Sequence, residues 1–261
     1  MQITADKRVY FLSDFHLGAP DAVTSREREK KIISFLDEIK SSAAVIFLVG
    51  DMFDFWYEYK NVVPKGYVRL LGKLAEITDS GIKVYFFAGN HDMWMNDYFE
   101  QELQVPVYFH PKTFTFNHKK FLIGHGDGLG PGDHGYKLLK KVFRNPAASW
   151  AFGILPPRLG MGLANYFSRK SREATGKHEE IFQGEENEWL ISYCRNRLES
   201  EHFDYCIFGH RHLPIDFLLN TNSRYINLGD WIRYFTFASF DGQQLSLQSR
   251  YPELEHLIVR Q

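Results

Sequence analysis

Cysteine is nearly absent: Cys194 and Cys206 are the only two in 261 residues. Two thiols cannot build the disulfide framework of a small secreted scaffold. Net charge is close to nil, at -1 with histidine neutral. A dedicated nucleic-acid binder is usually strongly basic, so that class is not expected and nucleic acid is not an expected partner. No apolar run approaches the roughly 18 residues that would span a bilayer. No charged leader with an apolar stretch precedes the first strand-like run, Val9-Tyr10-Phe11-Leu12, so no signal peptide is expected. Internal repeats and low-complexity tracts are missing too. These absences leave a soluble cytoplasmic enzyme as the expected class. What is abundant is aromatic: 23 Phe and 14 Tyr within a hydrophobic content of 44%. That supplies ample core and suits a β-rich interior or an apolar ligand surface.

The chain begins with a regular rhythm. Strands are expected over 8–13, 43–49 and 83–88, because each is a short apolar run of β-favouring residues. Helices are expected over 26–39 and 68–77, where apolar residues recur at helical spacing. Strand, helix, strand, helix, strand is the signature of a parallel sheet. Two further strands are expected near 113–116 and 119–123. From about 128 to 188 the texture turns helical, with helices expected over 136–143, 147–154, 159–168 and 178–198. Between Asp133 and His178 there are nine Lys or Arg against two Asp or Glu, so the remainder is net acidic. Strands resume over 205–208, 215–219, 225–228, 235–240 and 244–248. The expected organisation is one domain over 1–261 with a helical cap inserted at 128–188.

The chemistry gathers where the strands stop. Phe208-Gly209-His210-Arg211-His212 follows one apolar run, and alternate residues of an extended chain face the same side. Asp14-Phe15-His16 follows another run. Gly50-Asp51, Gly89-Asn90-His91-Asp92 and Gly124-His125 follow three more. In open sheets of this kind the site lies outside the carboxyl ends of the strands. Asp14, His16, Asp51, Asn90, His125, His210 and His212 offer two carboxylates, an amide oxygen and four imidazoles. Such a set suits a pair of first-row divalent ions, held roughly 3.5–4 Å apart by a shared carboxylate. Singly, each motif also fits a turn or a helix start.

Together, these five motifs in this order resemble the signatures of the calcineurin-like metallophosphoesterases over about residues 8 to 230. The resemblance implies an α/β fold of two packed mixed β-sheets flanked by helices, in four layers, α/β/β/α. By matched position, Asp14, His16, Asp51 and His212 would hold one ion and Asp51, Asn90, His125 and His210 the other, Asp51 bridging. Two divalent ions are implied, manganese first, with iron or zinc as alternatives. They would polarise phosphoryl oxygens and acidify water. His91 would then stabilise or protonate the leaving oxygen, with Asp92 orienting it. For Asp54 and Asp127, supporting roles and plain capping or turn roles stand level. His110, His118 and His134 are expected at the surface.

Within that family the chain is most similar to the branch that hydrolyses UDP-2,3-diacylglucosamine in lipid A synthesis. The likeness lies in His125-Gly126-Asp127 followed by Asp133 and Gly135-Tyr136, in Ser171-Arg172-Glu173-Ala174 and in Asn227-Leu228-Gly229-Asp230-Trp231. It implies a lipid-linked UDP-sugar substrate, peripheral contact with the inner membrane surface, and substrate contacts from Asp133, Ser171, Arg172 and His178. There are departures. His91 stands where the best-known members carry arginine, and Thr175 and His178 where they carry asparagine and lysine. Phe152 and Phe167 are candidates for an acyl slot within a dense set of apolar residues. A phosphoesterase acting on nucleotides or phosphoproteins, and a non-catalytic binding scaffold, remain as alternatives.

Overall fold

The computed structural model describes residues 1–130, 134–175 and 181–261. The chain starts with β1 (Arg8–Leu12), α1 (Ala22–Lys40), β2 (Ala43–Val49), α2 (Val68–Asp79) and β3 (Lys83–Phe87). Next come a short helix α3 (Tyr98–Leu103), β4 (Val107–Tyr108), β5 (Lys112–Phe116) and β6 (Lys119–Ile123). Helices α4 (His134–Phe143), α5 (Pro146–Ile154), α6 (Pro157–Thr175) and α7 (Trp189–Leu198) follow. The chain closes with β7 (Tyr205–Phe208), β8 (Pro214–Asn220), β9 (Ser223–Leu228), β10 (Thr236–Phe240), β11 (Leu245–Ser249) and β12 (Val259–Arg260).

Two six-stranded sheets result. One has the order β11-β10-β1-β2-β3-β4, the other β12-β8-β9-β7-β6-β5. In the first, β1 to β4 pair in parallel, while β10 and β11 join antiparallel at the edge. In the second, β6, β7 and β9 are parallel neighbours. Both sheets are therefore mixed, as expected.

Alternation along the strands sorts the layers. Val9 and Phe11 of β1, with Val45, Phe47 and Val49 of β2, meet Phe121, Ile123, Ile207 and Ile226 of the other sheet in one buried cluster. The alternate residues Tyr10, Leu12, Ile46 and Leu48 turn outward onto Ile32, Phe35 and Leu36 of α1 and Leu70 and Leu74 of α2. On the far side, Leu122, Cys206 and Phe208 pack on Leu190, Ile191 and Cys194 of α7. The order is helices, sheet, sheet, helix. A period of two on the strands meets a period of 3.6 on the helices, and the central strands β1, β2 and β7 are buried on both faces.

The structure departs from the sequence expectation at α7. Its helix starts at Trp189, whereas the pattern suggested about 178. The described residues before it form a turn. Gly184 has a left-handed φ of +83°, and the N–H groups of Asn187 and Glu188 bond back to its carbonyl. The buried Glu188 side chain is also committed elsewhere, to Arg211 at 3.1 Å. The two short elements α3 and β4 lacked enough residues to show a period.

Two helices are capped across the fold. Tyr67, at the N-terminus of α2, has a left-handed backbone and offers no side-chain cap. The buried Glu29 of α1 supplies it, accepting from the N–H groups of Arg69 and Leu70 at 3.1 Å each. Glu58 does the same for α3, accepting from Asp97 and Tyr98. A carboxylate at a helix start satisfies free N–H donors and complements the helix dipole. Glu29→Ala is therefore expected to cost about 1–2 kcal/mol, read as a lower denaturation midpoint with an unchanged denaturant slope. Glu29→Gln, which keeps one acceptor, is expected to lose less. Equal stability of the three proteins would refute the capping role.

Candidate active site

The residues singled out from the sequence converge on one centre, between the carboxyl ends of β1, β2, β3, β6 and β7. Three groups of possible metal ligands have their ligand atoms within 4.8 Å of one another: Asp14, His16 and His212; His16, Asp51 and His91; and Asp51, His125 and His210. Asn90 joins them through Oδ1, 3.1 Å from His125 Nε2. Asp14, His16, Asp51 and His125 are buried, whereas Asn90, His91, His210 and His212 are half-buried. The centre is therefore reached from the side of the last four.

Backbone conformation, not strand pleating, aims these side chains. Asp14, His16, Asp51, His210 and His212 all have left-handed φ, between 44° and 67°. Non-glycine residues adopt that region at a cost, and such residues cluster where surrounding structure holds them for function. The extended-chain expectation for His210 and His212 is corrected accordingly. They leave β7 through a left-handed turn and fall into different ligand groups. Their glycine neighbours have a second purpose. A Cβ on Gly209 would collide with Ser13 Oγ and the Asp14 carboxylate, and one on Gly89 would collide with Asp51.

Several atoms fit a cation. Asp14 Oδ1 is buried and accepts no hydrogen bond. His212 Nε2 lies 3.3 Å from it, and His16 Nε2 lies 3.1 Å from His212 Nε2. On the other side, His125 Nδ1 lies 2.9 Å from the Val49 carbonyl, which can only accept, so Nδ1 carries the proton. That leaves His125 Nε2 facing Asp51 Oδ2 at 3.2 Å, where it can hold a proton or, once deprotonated, offer its lone pair to a cation. Oxygen and imidazole donors converging in this way suit divalent metal ions.

Electrostatics agree. Burial alone would raise Asp14, but His212 and His16 beside it hold its carboxyl below the ordinary range. Burial opposes ionisation of Asp51 too, and His125 and His91 outweigh it, keeping Asp51 well below that range. In return, His125 is lifted against burial to about 10, chiefly by Asp51. His212 is raised against burial by Asp14 and Asp230. The ligand set demands positive charge, and without ions two imidazoles supply it by holding protons.

His91 and Asp92 behave differently from each other. Asp92 does not orient His91. Its oxygens accept from the backbone N–H of Gly89 at 2.7 Å and of Met52 at 2.8 Å, tying the loop after β3 to the loop after β2. Burial, then the neighbouring Asp51, push Asp92 up to about 7. His91 is held instead by Asp54, whose backbone carbonyl lies 3.0 Å from Nδ1. One Asp54 carboxylate oxygen stands 3.8 Å from the same nitrogen and 3.6 Å from His16 Nδ1. Nδ1 being engaged, Nε2 of His91 is the nitrogen left to meet a ligand. Burial pushes His91 down to about 4 despite the pull of Asp51.

The other expected contacts divide. Asp133 and His178 lie outside the described residues. Ser171 and Arg172 lie on α6, but their side chains are outside those described. Asp127 pairs with Lys140 of α4 at 2.5 Å. His110 and His118 are exposed, as expected; the His134 side chain is outside those described. Phe152 packs against Trp94, Tyr57 and Phe55, with centroids at 4.6, 4.8 and 5.8 Å, while Phe167 is exposed. Two contributors escaped the sequence reading. Asp230 stands 3.5 Å behind His212 Nδ1, and Ser168 of α6 donates to Asp54 at 2.9 Å. Asp230 sits in the noted stretch from Asn227 to Trp231. Ser168 carried no signal at all.

The model of the calcineurin-like phosphoesterase family matches residues 7–214. The UDP-2,3-diacylglucosamine hydrolase of Porphyromonas gingivalis (strain ATCC BAA-308 / W83) is 39% identical over 254 residues, covering 93% of this chain and 97% of that protein. The protein of the same name from Pseudomonas paraeruginosa is 28% identical over 231 residues, covering 86% and 91%. Among solved structures, Yfce, a phosphoesterase from E. coli, aligns over 93% of this chain and 92% of its own, with TM-score 0.45 and 16% identity. With its five strand-end motifs brought to one centre and the family model running through four-fifths of its length, this chain belongs to the calcineurin-like phosphoesterases.

Proposed function

We propose that this chain hydrolyses the pyrophosphate of UDP-2,3-diacylglucosamine, giving 2,3-diacylglucosamine 1-phosphate and UMP, at a centre of two divalent metal ions. The observation that carries the substrate is the 39% identity, running nearly end to end, to a protein named for that hydrolysis. Asp14, His16, Asp51 and His212 would hold one ion, and Asp51, Asn90, His125 and His210 the other, with manganese the first choice. Ions held there polarise phosphoryl oxygens and lower the pKa of water.

The protein's own residues do the rest. The left-handed loops preset the ligand directions, so little reorganisation is needed on binding. His91 meets the phosphoryl group through Nε2. Donation from that nitrogen requires the doubly protonated ring, which a bound diphosphate favours by adding negative charge beside it. Asp92 keeps the two loops in register.

We read residues 128–188 as a cap over this centre. Its described part is tethered by Lys140 to Asp127, by Trp94 Nε1 to the Phe143 carbonyl at 2.6 Å and by Tyr57 to the Ser149 carbonyl at 2.7 Å. By matched position Asp133, Ser171, Arg172 and His178 would hold the phospho-sugar head. The exposed Leu159, Leu163, Tyr166 and Phe167 leave apolar surface for acyl chains and for a peripheral contact with the inner membrane face. Phe152, already packed, is withdrawn from the slot. No described helix is long and apolar enough to cross a membrane.

Three outcomes are expected. Asp51→Ala removes a ligand shared by both ions, so metal content measured on the purified protein falls and turnover vanishes while the circular dichroism is retained. Full activity in a metal-free preparation would contradict the two-ion centre. His91→Ala keeps its metal and loses roughly 10²–10⁴-fold in turnover. A fall in metal content, with normal rate once metal is restored, would make His91 structural instead. Finally, the purified protein cleaves UDP-2,3-diacylglucosamine and spares UDP-glucose, and Arg172→Glu raises KM for the lipid substrate while leaving a small aryl phosphodiester unaffected. Equal loss on both substrates would mean the cap supports the metal centre, and would favour a phosphoesterase of nucleotides or phosphoproteins.

A further inference from the structure

We infer that Ser168, on α6, is a positioning residue for His91, so that the cap helix takes part in setting the reacting side of the site as well as covering it. This rests on the phosphoesterase reading of the site given above. Ser168 stands far away in sequence from the residues it touches. Its Oγ is 2.9 Å from Asp54 Oδ2 and 3.3 Å from His91 Nδ1.

The proton positions follow from the partners. A carboxylate only accepts, so the Ser168 hydroxyl donates to Asp54. A lone pair of the same oxygen faces His91 Nδ1. The Asp54 carbonyl at 3.0 Å from Nδ1 also only accepts. Two acceptors on one nitrogen both require Nδ1–H. They fix one tautomer and hold the ring so that Nε2 meets the ligand.

The helix itself points to a selected contact. At this turn α6 buries its serine, 8% exposed, and leaves the adjacent Tyr166 and Phe167 60% and 56% exposed. The hydrophobic effect alone would arrange them the other way round. Removing the hydroxyl would also take a hydrogen-bond donor from Asp54 in a buried place. That carboxylate, 3.6 Å from His16 Nδ1 through its other oxygen, would then be less firmly held between the two rings.

Threonine and valine have the same shape, and only threonine has the hydroxyl. Ser168→Thr and Ser168→Val would be compared on bis(p-nitrophenyl) phosphate, which needs no acyl or sugar contact. The valine variant is expected to lose about 10–100-fold in kcat, as supporting partners of a site commonly do, with KM and metal content unchanged. The threonine variant is expected to retain most of the rate. Nitrogen-15 NMR of the zinc-loaded protein, with the His91 signals identified by their loss in His91→Ala, should show the same Nδ1–H signal in wild type and threonine, and a shifted, broadened one in valine, where one of the two acceptors is gone. Lys140→Met, which loosens the cap at Asp127 without touching His91, serves as a comparison and should leave the His91 signals in place.

The inference is overturned if valine and threonine lose equal activity. It is also overturned if valine raises KM for UDP-2,3-diacylglucosamine alone with the ring signals intact, or if Lys140→Met reproduces both effects of valine. Failure to cleave UDP-2,3-diacylglucosamine while the aryl ester is turned over would remove the substrate assignment only. The valine–threonine contrast on the aryl ester would still decide the role of Ser168.

Discussion

Two carboxylates, Asp14 and Asp51, lie almost wholly out of water within reach of four imidazoles. Everything around them answers the cost of putting negative charge there. Isolated, a buried carboxylate would take up a proton. Here it stays ionised because histidines crowd round it, and His125 and His212 in turn hold protons they would otherwise lose. Ligands arranged so release protons as they take up metal, so affinity and acidity are linked. The sandwich serves this centre by bringing five strand ends together and supporting left-handed loops that an isolated peptide would not hold.

The fold was legible where periodicity was long. Helices α1 and α2 and strands β1, β2, β3, β6 and β7 carry enough apolar residues for the period to show, and burial on both faces explains their unbroken apolar runs. Helix α7 shows the limit of the method. The expected helix ran upstream of Trp189 to about 178, but Gly184 and the demand of Arg211 for a buried carboxylate diverted the chain. No local propensity records a partner that arrives from another element.

The candidate site was legible for a different reason. Residue types with ligand chemistry recur directly after apolar runs, and the runs themselves are easy to find. Side-chain supports were harder. Asp92 adjoins His91 in the chain while Asp54 lies 37 residues away, and only coordinates show that the near one ties two loops together and the far one seats the ring. Ser168 lies far from His91 in sequence, and a serine next to Tyr166 and Phe167 has no pattern to betray it. The positive φ of five ligand-type residues was equally hidden, since glycine is the residue that advertises such backbone and these positions need side chains instead.

The pair formed by Arg211 and Glu188 has an evolutionary side. Both are buried, and the guanidinium also donates to the Ile181 carbonyl at 2.7 Å. Losing either partner strands the other charge in the interior at a cost of about 3–5 kcal/mol, although an apolar replacement of both could be neutral. Each single step away is therefore closed while the double step is open. The residue between the two histidines can drift only in concert with the residue that opens α7. The return of the chain after α6 is thus bound to the loop of His210 and His212 by heredity as well as by contact.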